Sequence, residues 1–273
     1  MSRDDKIRLG GMALSNGVLV HGARFWACAV RDDDGEVHVA SGEKPVQSAS
    51  VESRLLRGPL RIAEVFALLP VVRRALPEAK LPFERPEVAG ALVGSVLAVR
   101  GLRSMRLNPF AQETLAALIA LGPAVVALRG TALAEYHGAE HISIGTYEHG
   151  EERQREHERC GSHMLGPLLV TTAVGSVIAG RTPAHVRPLA RLAAAAGSLA
   201  AAVEVFSWMV ANERHPLSRA LARPGHELQH RLVTAEPSPE QLEVANAALA
   251  ECLRLESAAN GGRDLPPEEA PPA

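Results

Sequence analysis

Two stretches in the second half of the chain limit what it can fold into. Met164–Gly180 is 17 residues without a charge, and Leu192–Asn212 carries only Glu204. A helix needs about 20 apolar residues to cross a hydrocarbon core about 30 Å thick, so both come close to that length. Thr114–Ala134 joins them with Arg129 as its one charge. Val88–Val99 reaches it only by taking in Arg100, Arg103 and Arg106, whose side chains would have to snorkel. We therefore expect a mainly α fold, a helical integral-membrane protein of about three to four spans. The alternative is a soluble bundle of long buried helices. Composition leaves it open, because 47% of residues are hydrophobic, only 3% are aromatic, and the mean hydropathy is just +0.02.

Arginine placement speaks to orientation. Residues 1–87 carry 13 Lys or Arg, and Arg214, Arg219, Arg223, Arg231, Arg254 and Arg263 follow the last apolar segment. Positive flanks stay cytoplasmic, which predicts a multi-pass protein of the cell membrane with both termini inside and an even number of spans. The partners expected are the lipid bilayer and, through the spans, a protein partner or a homo-oligomer. A net charge of −2 gives no field for nucleic acid. Three cysteines without CxxC spacing read as reduced thiols, and no secretory signal peptide is evident.

The flanking regions divide as follows. Residues 1–57 form a β-rich cytoplasmic element, with strands over Gly17–His21, Arg24–Arg31 and Glu36–Ser41 and a small hairpin at Asp32-Asp33-Asp34-Gly35. Glycines 10, 11, 17 and 22 read as loop positions. Residues 58–87 hold an amphipathic helix over 60–76, marked by Arg61, Glu64, Arg73 and Arg74, then a linker with Pro77, Pro82 and Pro86. Residues 88–212 are the membrane helical domain, and 213–260 form a cytoplasmic helical tail. In the tail Ser238, Pro239 and Gln241 make a capping box, and Leu242, Ala245, Leu249, Cys252 and Leu253 share one helical face. Cys28 and Cys252 read as core. The Pro- and Glu-rich end, 261–273, reads as disordered.

The chemistry gathers between Tyr136 and Met164, a stretch read as a ligand-rich loop between apolar helices. It contains His137, His141, His149, His157 and His163, 5 of the 11 histidines, together with Cys160. His137, Glu140 and His141 form an H-x-x-E-H pattern. On a helix, histidines four apart face the same way and can grip one ion, with the adjacent glutamate as a base. His157 and Cys160 add donors suited to zinc. Four ligands, His137, His141, His157 and Cys160, would make a closed structural site, whereas three would leave a position open. The spacing does not decide between the two. Glu204 is a suspect because an ionisable group in a span is costly, and Glu213 and His215 are further candidate ligands.

Several blocks follow one another along most of the chain: GGMALSNGVLVHG, AVRDDDGEV, YHGAEH with YE, HERCG, and LQHRLVTAEPSPEQLEVANAAL. In these the chain resembles the YqhQ-like family of bacterial membrane proteins, a domain of unknown function described as a predicted metal-dependent enzyme. The resemblance implies several spans and places a metal among His137, Glu140, His141, Glu148, His157 and Cys160. Departures accompany it. Asn16 stands where the family usually has a glutamate, His21 where arginine is common, Ile142 for a lysine and Glu158 for a proline, and the loop from Tyr147 to His157 is shortened. If the acid missing at position 16 is functional, this chain keeps the scaffold without the activity. Two functions are thus expected. One is a zinc-dependent hydrolase with Glu140 as its catalytic base, and the other is a non-catalytic scaffold or membrane-protein assembly and insertion factor.

Overall fold

The structure is a computed structural model that describes residues 6–46, 54–105, 107–259 and 261. The stretch expected to be disordered lies, from residue 262 on, outside the described residues. Among those described, four strands come first: β1 (Gly10–Leu14), β2 (Gly17–His21), β3 (Phe25–Arg31) and β4 (Val37–Glu43). They form one antiparallel sheet in chain order, with Gly11 opposite Val20, Val18 opposite Ala29, and Cys28 opposite Ala40. The expected hairpin is thus a four-stranded meander. Its DDDG turn forms because Asp32 Oδ1 accepts the N–H groups of Asp34 and Glu36 at 3.0 and 2.9 Å, while Gly35 takes a φ of 88° that favours glycine.

Alternation of side chains gives the sheet two apolar faces. Leu14, Leu19, Trp26, Cys28 and Val30 point to one of them, where they meet Leu68, Leu69 and Val72 of helix α1 (Arg54–Ala75). Val18, Val20, Ala27 and Ala29 point to the other, where α5 (Ala132–His149) and α9 (Pro239–Ala259) cover them. The sheet is therefore the middle layer of three. Each buried Val or Leu contributes roughly 1.5–3 kcal/mol. The α9 face Leu242, Ala245, Leu249, Cys252 and Leu253 packs there as expected, and its start carries the expected box. Ser238 N–H donates to Gln241 Oε1 at 2.8 Å, and Gln241 N–H donates to Ser238 Oγ at 3.4 Å.

Between α1 and α5 come α2 (Pro86–Ser104), α3 (Pro109–Ala120) and α4 (Gly122–Leu128). After α5 a loop leads into α6 (Leu165–Gly180), α7 (Arg187–Ala211) and α8 (Pro216–Leu228). Among the described residues, two helical stretches, Gly161–Gly180 and Arg187–Ala211, are long and apolar enough to cross a membrane. Thr114–Leu128 with Ala132–His149 would be a third only as a pair bent by 93°. This corrects the expectation of up to four spans. The apolar run in α2 is bounded by Glu87, Arg100 and Arg103, which leaves too little uncharged length. Thr114–Ala134 is broken twice, by Gly122-Pro123 opening a new helix and by Gly130, whose φ of 65° ends it.

Helices α6 and α7 pack on each other through small residues. Thr171 Oγ1 donates to the Ser198 carbonyl and Ser198 Oγ to that of Thr171, both at 2.9 Å, and a Cβ at Gly175 would lie 2.6 Å from Ser198 Oγ. Their other sides are bare, with Val174 56%, Ile178 60%, Leu189 70% and Leu192 68% exposed.

Candidate metal centre

The stretch read as a loop is helical up to His149, and only the residues after it form a loop. Helix α5 shows little amphipathic pattern in its sequence because its inward face is polar: Glu140, His141, Ser143 and Glu148 are all buried. His137 and His141 lie one turn apart with ring centroids separated by 4.4 Å. The loop brings Cys160 across to them, its Sγ 3.7 Å from His137 Nε2, and one donor atom from each of the three lies within 4.8 Å of the others.

The imidazole tautomers follow from the partners. His137 Nδ1 lies 2.8 Å from the Val233 carbonyl, and His141 Nδ1 lies 2.6 Å from that of Arg155. A carbonyl only accepts, so each Nδ1 carries a proton and each Nε2 is the atom left for a ligand. Burial works against a charged His137, but the Cys160 thiolate outweighs it and raises that imidazole to about 9, so His137 Nε2 shares a proton with Cys160 that a bound metal would replace. This arrangement orients metal-binding histidines in general. Burial pushes the Cys160 thiol up, but hydrogen bonds and charge from His137 and His141 outweigh that and hold it well below the usual thiol range. Thiolate with imidazole suits zinc, and tetrahedral bonds of about 2.0 and 2.3 Å would place N and S about 3.5 Å apart, close to the separation observed. The group of His137, His141 and Cys160 could therefore hold a metal ion.

The other expected residues surround this group. His157 lies beside it, ring centroid 5.5 Å from that of His141, with its Nε2 turned to Glu148 Oε2 at 3.1 Å. Glu148, 2% exposed, also pairs with Arg159 at 2.8 Å. Glu140 is 7% exposed, close enough for its charge to act on His137, and has no hydrogen bond or ion pair among the described residues. Its carboxylate occupies space above Gly11, where a Cβ would stand 2.4 Å from Oε1. Gly11, read as a loop position, is thus a strand residue that makes room for the glutamate. His149 Nδ1 bonds the Gly145 carbonyl at 2.9 Å, and His215 Nδ1 accepts the Leu217 N–H at 3.2 Å to cap α8. Glu204 is exposed on α7. Asn16 lies past the far end of β1 from Gly11. Its Nδ2 donates to the carbonyls of Arg31 and Glu78 at 2.9 and 3.0 Å, and its Oδ1 accepts the Lys80 N–H at 2.8 Å. That residue ties a turn to a linker, so the departure at position 16 does not remove a group from the centre.

Sequence reasoning missed the segment that closes the site. After α8 the backbone makes a π-helical turn, Gln229–Val233, and the chain beyond it runs hard against α5. Ala235 N–H donates to the Ala134 carbonyl at 2.9 Å, and a Cβ on Gly138 would stand 2.1 Å from the Ala235 oxygen. The glycine between His137 and Ala139 is therefore what lets this segment reach His137. The available signal was the LQHRLVTAEP block, whose glutamine has no surface to serve.

A family model described as "Protein of unknown function (DUF1385)" matches residues 131–255. The uncharacterized protein YqhQ of Bacillus subtilis (strain 168) is 32% identical over 131 residues, which are 45% of this chain and 41% of that protein. The alignment therefore spans less than half of either. No solved structure matches. The family match runs from the residue before α5 into α9 and contains His137, Glu140, His141, Cys160 and the π-helical turn, so the segment that builds this centre is the one that is similar to the DUF1385 family and to YqhQ.

Proposed function

We propose that the chain is a membrane protein whose cytoplasm-facing centre binds a divalent metal, zinc by its donor set, and hydrolyses a substrate at the membrane surface. The observation carrying this reading is the convergence of three donors, His137 and His141 Nε2 and Cys160 Sγ, beside a buried glutamate with no hydrogen bond among the described residues. A bound zinc would supply Lewis acidity to an oxygen of water or substrate. Val233 and Arg155 hold the two rings in register through their carbonyls. Glu140, one residue before His141, holds a carboxylate free to take up a proton. His157, engaged with Glu148, stands behind the three donors, which favours an open three-ligand site over a closed four-ligand one.

The packing supports a single side for the centre and both ends. The sheet and α5 precede the two apolar helices and α9 follows them, yet all three share one core. An even number of crossings between them is then required, which α6 and α7 supply as a hairpin. The bent pair then enters and leaves on one face. The arginine bias favours the cytoplasm for that face.

The test is Glu140→Gln in detergent-purified protein. Against chromogenic ester, amide and phosphoester amphiphiles, the wild type should turn over one class only with metal present. The variant should lose roughly 10²–10⁴-fold in rate while keeping its metal. Loss of metal in the variant would make Glu140 a ligand. A metal-loaded wild type inert on all three classes would leave the centre structural, which is the scaffold reading.

A further inference from the structure

Gln229 is fully buried, at 0% exposure, in the first position of the π-helical turn. Its Oε1 accepts the His157 N–H at 2.9 Å. Its Nε2, with two protons to give, lies 3.2 Å from the His157 carbonyl, 2.7 Å from Ser162 Oγ and 3.1 Å from His163 Nδ1. One side chain thus grips the loop three residues before Cys160 and again two and three residues after it. Helix α8 presses the same place: a Cβ on Gly225 would lie 2.6 Å from His163 Cα and from the Ser162 oxygen.

A π-helical turn costs more than an α-helical one and occurs often at functional sites. Here it is closed by Thr234, whose N–H and Oγ1 reach the Gln229 carbonyl at 3.3 and 2.9 Å. Its last residue, Val233, turns its carbonyl to His137 Nδ1 at 2.8 Å. The first residue of one turn therefore fixes the cysteine donor and the last fixes a histidine donor. Only a carboxamide of this length both accepts and donates along the loop. Glutamate would lose the donors, and methionine would lose both functions.

We infer that Gln229 is a positioning residue that presents Cys160 as the third donor, so that the π-helical turn, rather than the loop's own sequence, sets the number of ligands at the centre. The inference rests on the metal reading above. It is tested with the full-length protein in detergent, loaded with cobalt(II), whose thiolate charge-transfer band reports Cys160 directly. The wild type should show the band, and Cys160→Ser should lose it. Gln229→Met should also lose it, with cobalt affinity falling roughly 10–100-fold, as for other groups that orient ligands. On the Cys160→Ser background Gln229→Met should change affinity no further, because both act through one sulfur. If Gln229→Met does not fold, Gln229→Glu, which keeps the acceptor for His157 and lacks the donors, carries the same test with a partial loss expected. Retention of the band in the Gln229 variants, or an equal loss of affinity with and without Cys160, would overturn the inference. A wild type that binds neither cobalt nor zinc would overturn the metal reading and this inference with it, and is told apart by the metal content of the wild type alone.

Discussion

The sheet with its covering helices and the α6–α7 hairpin are both rich in Val, Leu and Ala, yet they use those residues in opposite directions. Around the sheet the apolar residues turn inward, and Leu14, Leu19, Cys28, Val30, Val244 and Cys252 are all at 0% exposure. In the two apolar helices only 22% and 17% of the qualifying residues are buried within the protein. One region makes its own apolar environment and the other needs one supplied. The centre lies at their junction, where the loop leaving α5 enters α6. Its two histidine donors come from the self-sufficient side, and Cys160 comes from the loop that leads into the apolar helices.

Four substitutions or conditions sharpen or break this contrast. The largest effect is expected at Glu64 of α1, whose buried carboxylate pairs with Lys44, itself 6% exposed and bonded to the Gly22 carbonyl at 2.7 Å. Glu64→Ala strands the ammonium and should cost about 3–5 kcal/mol in chemical denaturation. Leu253→Ala, in the α9 face over the sheet, should cost about 2–5 kcal/mol by the same measurement. The third is a pH effect at His21, where burial and then Lys44 lower the imidazole pKa to about 4, against opposing pulls from Glu64 and Glu256. The unfolded chain then binds the extra proton between pH 6.5 and about 4, so stability should fall as pH falls through that window, by at most about 3 kcal/mol. His21→Gln should flatten that slope, and an unchanged slope would place the acid sensitivity elsewhere. The smallest effect is expected at Val174 of α6, 56% exposed, where Val174→Ala should shift the denaturation midpoint in detergent by less than about 0.5 kcal/mol. If Val174→Ala costs as much as Leu253→Ala, the hairpin is packed against protein and the contrast fails.

Much of the fold was legible because its signals are local. Strand alternation, the DDDG turn, the α9 capping box and the uncharged run of α6 each lie within a few residues. The misreadings have non-local causes. Strand β1 has no strand signal because Gly10 and Gly11 look like loop, whereas they are glycine to admit His21 and Glu140. Helix α5 reads as a loop because its buried face carries Glu140, His141 and Glu148, and His141 and Glu148 find their partners in the loop that follows. In the centre, the i,i+4 histidines and Cys160 were recognisable by residue type. That His157 would face Glu148, and that Gln229 would grip the loop from a distance of about seventy residues, depends on a π-helical turn that no short-range pattern announces.

The central claim is that His137, His141 and Cys160 hold a metal at this junction, and metal content tests it most directly. Elemental analysis of detergent-purified wild type should find about one zinc or similar ion per chain, and His137→Ala/His141→Ala should remove it without loss of helical content. A well-folded wild type without metal, even after incubation with added zinc, would contradict the account.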